Sequence, residues 1–524
     1  MLYFCTRKGQ GLYMNNADRV IANSVLLYIK IIITTLISIA SVPIVMHALG
    51  NSDYGLYSLV GGTVGLMAFM KSAMTVSTQR FLSVAVGEGN VEHTNRIYNN
   101  SIILHYLVGF FMVLVFEAAY PLLFNGFLNI DADRVVVAKW IYQFLALAVF
   151  LDITSVPFIG VVNAKEDMFV FCIVGIVEAL LKLLLALSLG LFLVDKLLFY
   201  GVGMMLIALL IRCFYSVYVR MAYREFDVHL STYVDKATLR EITGFTGWNS
   251  VGALALVGRN QGLAIVINIF FNTVENAAYG IANQINGVMG FVANTFQKSI
   301  NPQLMKSHGM HDKQRLVRLA YLSSKFSVLL FAALALPLII EMDYILKIWL
   351  KTPPVNTVIM TQLVLILSLL NQYSMGLMSS IQATGNIRNY QIVVSILILL
   401  NIPITYVLYS MGLPSYSCGI SFIVIEIISF VYRLYMARKM VGMNIRDYVV
   451  SVLTPTLSCM ACATAGALCL HYAISASMLR LVIVTVFYML VYGVSIWTIA
   501  LNETEKDIFN SFSHKIIAAV KAKL

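Results

Sequence analysis

Charge is what this sequence has least of. Only 12% of its 524 residues are Asp, Glu, Lys or Arg, against 60% hydrophobic residues and a mean hydropathy of +0.83. A soluble domain of this length needs far more polar surface, so the chain reads as an all-α polytopic membrane protein. It also lacks any long polar segment, which leaves no room for a separate soluble catalytic domain. Seven cysteines, an odd number lying mostly in apolar runs, build no disulfide framework. Cys459 and Cys462 share a hydrophobic helix with no His or acidic residue nearby, so the pair predicts neither a metal site nor redox chemistry. No signal-peptide pattern precedes the first apolar run, and Met14 offers an alternative start to Met1. The net charge of +11 does not call for nucleic acid, because cytoplasmic loops of membrane proteins are rich in Lys and Arg.

What is present is a succession of about 14 apolar runs, on the rule of roughly 20 residues per crossing. The reading has six parts: a cytoplasmic N-terminal segment (1–19), an N-terminal six-helix bundle (20–222), a cytoplasmic linker (223–240), a C-terminal six-helix bundle (241–440), an additional helix pair (448–501) and a basic amphipathic cytoplasmic tail (502–524). Gly50 suits the end of the first helix, with Pro43 a kink shortly before it, and Tyr54 and Tyr57 suit a membrane interface. With the N-terminus inside, 22 of the 36 basic residues fall in cytoplasmic loops and six in outer ones, so both termini are expected in the cytoplasm.

The most informative stretch runs from Gly244 to Asn301. Its first helix, about 241–271, carries Arg259 near its middle. Its second, about 277–306, carries Asn283, Asn286, Gly290, Asn294, Gln297 and Asn301 at steps of three or four, which places them on one face. In lipid such a face must turn toward protein or water. Sliding the chain by about 225 residues lays Tyr54-Gly55 on Tyr279-Gly280, Gly62 on Gly287 and Gly65 on Gly290. Ser58, Gly61 and Ser72 then fall on Asn283, Asn286 and Gln297, and Lys30 comes within one turn of Arg259. Both halves therefore open with a helix holding a mid-span cation, followed by a helix with a small or polar face. Such duplication is a common plan for transporters.

Eight basic residues remain inside the spans: Lys30, Lys71, Arg80, Lys182, Arg212, Arg259, Lys298 and Lys325. Each costs about 2.5 to 3.5 kcal/mol at mid-membrane on insertion scales and so needs a reason. Glu178 and Lys182, four apart, are expected to neutralise each other. Glu426 and Arg433, seven apart, look too distant for a direct pair. Arg80, Arg212 and Lys325 lie near cytoplasmic ends, where they can snorkel. Lys30 and Arg259 have no acid three or four positions away. If their helices face each other, they line one cationic cavity, with Lys71 and Lys298 as further candidates beside Asn283, Asn286, Asn294 and Gln297. Arg offers a planar fork and Lys a point charge, both suited to a diphosphate. The bland alternative is an interhelical ion pair, with Asp152 as one partner. Asp152 and Glu178 are candidates for coupling transport to H+ or Na+, and Asp152 equally for the counter-ion of Lys182 or Lys30.

The stretch Leu49-Gly50-x-x-x-Tyr54-Gly55-Leu56-Tyr57-Ser58-Leu59 resembles the turn after the first helix of Wzx-type polysaccharide exporters, and Thr384-Gly385-Asn386 resembles the turn after their tenth. Those flippases belong to the MATE-like (MOP) superfamily, which also holds multidrug antiporters and the lipid II flippase. The resemblance implies two six-helix bundles that rock about a central cavity. It further implies a substrate of undecaprenyl-diphosphate-linked oligosaccharide, flipped across a bacterial inner membrane for O-antigen or capsule export, with Arg259 and Lys30 as the cavity cations. Implied partners are a polysaccharide polymerase and glycosyltransferases, with no cofactor. The last helix pair is similar to the pair that forms a lipid-facing groove in the lipid II flippase. A cation-coupled drug antiporter would be expected to present acid instead. A membrane glycosyltransferase or polymerase finds its best support in Asp131-Ala132-Asp133, which sits in a short outer loop with no catalytic domain around it, so the chain is read as a non-enzyme. A scaffold or receptor leaves Arg259 and the polar stripe unexplained.

Overall fold

The computed structural model describes residues 16–65, 68–124, 130, 133–190, 195–271 and 273–507. Asp131, Ala132, the first fifteen residues and the tail beyond residue 507 lie outside them. Among the described residues there are helices and no strand. In chain order the helices are α1 (Asn16–Gly65), α2 (Ala68–Glu88), α3 (Val91–Leu122), α4 (Val135–Ala164), α5 (Met168–Ser188), α6 (Lys196–Ala222), α7 (Leu230–Tyr233), α8 (Lys236–Phe270) and α9 (Thr273–Gly309). They continue with α10 (Lys313–Ile340), α11 (Met342–Leu350), α12 (Thr357–Ala383), α13 (Arg388–Ser410), α14 (Ser417–Val441), α15 (Ile445–Tyr448), α16 (Thr454–Ala473) and α17 (Met478–Ser495). One π-helical turn (Val449–Leu453) leads into α16 and another (Ile496–Ala500) follows α17.

Among the described residues, twelve helical segments are long and apolar enough to cross a membrane. Two more helices, α2 and α9, have the length but are the least apolar of the long helices, and with them the count reaches the 14 read from the sequence. Gly50 breaks α1 with φ 81° and ψ 167°, a backbone state open to glycine, and so divides the first span from the second. Gly385 (φ 83°) makes the corresponding turn before α13.

The chain divides into two compact units. Within the described residues, unit one holds 16–24, 254–304 and 312–507, and unit two holds 25–253 and 305–311. In unit two, α4 is the central helix, buried along Ile153 to Ala164 and packed on α2, α3 and α6. The polar segment after α6 is stitched down. Asn95 accepts from the Asp227 amide (2.9 Å) and Asn99 donates to the Asp227 carbonyl (2.8 Å). Asn100 donates to the Tyr233 carbonyl (3.0 Å) and accepts from the Asp235 amide (3.3 Å). Asp235 in turn accepts from the Thr238 amide (2.8 Å), which holds its carboxyl below the ordinary carboxylate pKa. The first turns of α8 lie against α2, where Thr246 donates to Ser77 (2.6 Å) and Asn249 to the Ala73 carbonyl (3.0 Å).

Unit one is built on α10, α12 and α14. Gly376 lets α12 close onto α10: a Cβ there would overlap the Ala320 carbonyl. The last helix pair is fastened to this core by buried polar ties. Tyr488 and Tyr492 donate to the carbonyls of Ala332 (3.3 Å) and Leu329 (3.2 Å), and Tyr448 donates to that of Tyr373 (2.5 Å). With no hydrophobic drive between helices in lipid, such close backbone approach and hydrogen bonding are what hold them.

Gly376→Val should therefore cost about 1 to 3 kcal/mol through forced separation of α10 and α12. Gly493→Ala, where a Cβ meets nothing within 4 Å, should be neutral. Thermal unfolding of the detergent-solubilised protein measures both, and equal Tm values for the two variants would refute the packing account.

Candidate functional site

Most intramembrane charges have local partners. Lys182 donates to Glu178 (2.6 Å) and Lys71 to Asp152 (2.7 Å). Three expectations need correction. Glu426 and Arg433 do pair directly, both buried, because a guanidinium on a long stem reaches back two helical turns; Asn371 donates to the same carboxylate (3.1 Å). Lys325 does not snorkel: it is 4% exposed and donates to Glu505 (2.7 Å). Arg80, 5% exposed, lies over Phe81 (4.3 Å) and Phe245 (5.3 Å), and Arg212 donates to Thr154 (2.9 Å) and to Tyr106. Asp152 takes Lys71 as its partner rather than Lys30 or Lys182.

Two ionic clusters join distant stretches of chain. Glu341, fully buried at the α10–α11 junction, accepts from Arg480 (2.8 and 3.2 Å) and pairs with His471 (2.8 Å), which fastens α16 and α17 at that end. Arg134 forks between Asp53 (2.7 Å) and Asp195 (2.5 Å). The sequence signal for both is opposite charge at span ends on the same side; the orientation count uses Arg134 and Arg480 alone and so carries no information on their acidic partners.

Arg259 differs from these. In unit one it sits midway along α8, its guanidinium 5.2 Å from the Phe422 ring and bonded to the side chain of its neighbour Asn260 (3.1 and 3.2 Å). No carboxylate pairs with it among the described residues. A cation–π contact contributes about 0.5 to 2 kcal/mol, below the roughly 2.5 to 3.5 kcal/mol of insertion cost, and the remainder falls to the Asn260 bond, the field of Glu426 and water or a ligand. Lys30, in unit two, lies 3.7 Å from the Phe171 ring on α5.

The polar stripe of α9 splits in two. Gln297 is buried; it donates to Ser327 (2.7 Å) and accepts from Ser323 (2.9 Å) on α10. Asn301 accepts from Ser379 (2.9 Å) on α12. That end of the stripe zips the bundle together. Asn283 bonds only its own helix, at the Tyr279 carbonyl (3.0 Å), while Asn286 is part-exposed and Asn294 exposed. Lys298 is exposed one turn beyond Asn294. Unit one thus presents Asn286 and Asn294, with no bond to another helix among the described residues, and a lysine following them on a membrane-length helix. Such a surface can hydrogen-bond hydroxyls and attract anionic oxygens. Among the described residues, no group of three or more His, Cys, Asp or Glu could hold a metal. Cys459 donates to the Ser495 carbonyl (3.2 Å), while Cys462 is exposed.

No family model and no curated protein matches this chain. Solved structures do. A MATE protein in a straight conformation superposes with a TM-score of 0.68 at 16% identity, over 82% of this chain and 98% of that one. An outward-facing multidrug resistance MATE family transporter of the MOP superfamily gives 0.67 at 14%, over 82% and 97%. A MOP superfamily transporter from Pyrococcus furiosus, whose binding pocket of reverse polarity suggests a different function for it, gives 0.68 at 15%, over 82% and 98%. The chain therefore has the fold of these transporters across most of its length.

Structural and free charges should separate on mutation. Glu426→Gln leaves a buried guanidinium without its counter-charge and should cost about 3 to 5 kcal/mol. Arg259→Met removes a charge with no carboxylate partner and should leave Tm unchanged or raised. Unfolding of the purified protein reads both, and a large loss of stability in Arg259→Met would make Arg259 a structural residue.

Proposed function

We propose that the protein is a membrane transporter, not an enzyme, working by alternating access, and that it flips an anionic lipid-linked oligosaccharide, of the undecaprenyl-diphosphate type, from the cytoplasmic to the outer leaflet of a bacterial inner membrane. The fold shared with MATE and MOP transporters supports the transport reading. Arg259 supports the anion. It is a mid-span guanidinium with no carboxylate at salt-bridge distance among the described residues, in the same unit as Asn283, Asn286 and Asn294 and the exposed Lys298. The guanidinium fork suits a diphosphate, and the amides suit sugar hydroxyls. Lys30 is the matching cation of the other unit. In this reading both termini are cytoplasmic, the enzymes that build and polymerise the glycan are the functional partners, and H+ or Na+ supplies the driving force through Asp152. Glu178 is paired with Lys182 as Asp152 is with Lys71, but it is less exposed (38%) and so is the weaker coupling candidate.

Multidrug antiport has one observation in its favour. Asp152 is a carboxylate in a membrane span with about half its side chain exposed (48%), as a cation or proton site would require. The neighbour with reversed pocket polarity supports the view that this fold serves substrates of different charge.

Arg259→Ala should abolish surface-glycan export in cells while membrane-inserted protein stays at normal levels. Arg259→Lys should keep part of the activity if charge suffices and little if the fork is needed. In a deletion strain, leaflet-selective labelling of extracted lipid should find the complete repeat unit on the cytoplasmic leaflet. Unaltered leaflet distribution with changed drug sensitivity would overturn the flippase in favour of the antiporter.

A further inference from the structure

Unit one contains a charged concavity carried by helices other than α9. It has a volume of about 920 Å³ and lies where α10 begins, α14 ends and the last helix pair starts and finishes. Lys313 and Arg318 reach it from α10 and Lys439 from α14. All three are exposed and have no carboxylate partner among the described residues. Its fourth cation, Lys325, is the buried one held by Glu505, so it is already neutral as a pair. Glu505 is itself fixed, accepting from the Asn502 amide while Asn502 accepts from that of Glu505 (2.9 Å each). Asp447 is the remaining acid of the lining. Three cations against one acid leave the cavity net positive.

Basic residues at helix ends on the cytoplasmic side are ordinary, and alone they would be solvated loop charges. Two observations separate this group from that pattern. The first is the concavity itself, whose remaining wall is apolar: Val317, Met440, Val450 and Ile499 among others. The second is that both five-residue π-helical turns border it. One ends just before Pro455, whose ring and missing N–H bar the ordinary bond to the Ser451 carbonyl, and the backbone widens there. The other closes with the Leu501 amide on the Ile496 carbonyl (2.9 Å), a five-residue step. Each π turn re-aims side chains, and such turns recur at functional sites. The combination is a cationic cup with an apolar side, at the end of membrane-spanning helices.

We propose that this cavity binds a phosphate group carried by an acidic phospholipid, with Lys313, Arg318 and Lys439 on the phosphate and the apolar wall along the acyl chains. The assignment does not depend on the substrate proposed above. Each basic residue near an anionic headgroup adds affinity, so losing three together should weaken binding at least roughly tenfold.

The test uses the full-length protein in neutral detergent. Phosphatidylglycerol mixed into phosphatidylcholine micelles is titrated while Tm and retained lipid, by native mass spectrometry, are recorded. Inorganic phosphate and glycerol phosphate are titrated in parallel. The triple variant K313Q/R318Q/K439Q should bind phosphatidylglycerol at least roughly tenfold more weakly than the parent. A control that removes three cytoplasmic-side charges elsewhere, R224Q/K236Q/R240Q, should bind like the parent. A response to phosphatidylglycerol but not to the soluble phosphates assigns the lipid. An equal response to glycerol phosphate keeps the phosphate site but makes its ligand soluble, overturning the lipid assignment. Equal weakening in the control, or full binding by the triple variant, overturns the site.

Discussion

An ionised side chain at the centre of a bilayer costs about 2.5 to 3.5 kcal/mol, and the protein offsets that cost in three ways. Lys71–Asp152, Lys182–Glu178, Arg433–Glu426 and Lys325–Glu505 are neutralised as pairs. Arg80 and Lys30 lie over aromatic rings. Arg259 has a ring and a neighbouring amide, and the acid whose field reaches it, Glu426, is already paired with Arg433. Arg433–Glu426 and Lys325–Glu505 are buried and tie their helices together. Lys71, Asp152 and Lys30 are partnered yet part-exposed, so they can serve the packing and a polar path alike. Arg259, with no carboxylate at salt-bridge distance among the described residues, adds least to the packing and is the charge most open to a polar ligand or water.

The same constraint shapes the helices that carry few charges. Helices α2 and α9 are less apolar than the other long helices because polar residues recur along each. On α9 the polar stripe does two jobs along its length. Gln297 and Asn301 are used up in side-chain bonds to α10 and α12, while Asn286 and Asn294 are not. A helix of this kind is held by one end of its stripe and leaves the rest open. The fold can therefore keep a wet, hydrogen-bonding surface at membrane depth without losing the contacts that position it.

The sequence showed the fold in good detail because lipid penalises exceptions. Apolar run lengths give the spans, and glycine at Gly50 and Gly385 marks turns whose backbone other residues rarely adopt. Charge pairing was legible only where helix geometry made it local, as in Glu178 and Lys182. Spacing along the helix axis does not show the Glu426–Arg433 pair, because the long arginine side chain reaches across two turns. Nor does it show the partner of Lys325, since Glu505 is 180 residues away. The Glu341–His471–Arg480 cluster was hidden for the same reason. Spatial neighbours contributed by separate helices leave no periodic trace, and a charge at a span end looks the same whether it is solvated or buried.

The pairing pattern also bears on how far each unit speaks to substrate charge in the proposed transport reading. Asp152 and Lys71 lie 2.7 Å apart with nearly half of each side chain exposed, so the pair is open to water and adds no net charge to unit two. A cationic substrate drawn to Asp152 would have to compete with Lys71, and an anionic one drawn to Lys71 would have to compete with Asp152. The pair by itself therefore favours neither sign. The preference for an anion in that reading comes from Arg259 in unit one, whose guanidinium has no carboxylate at salt-bridge distance among the described residues, and from the exposed Lys298 on α9. In that reading cargo charge thus follows from the cations left without a paired carboxylate, because the paired ones cancel.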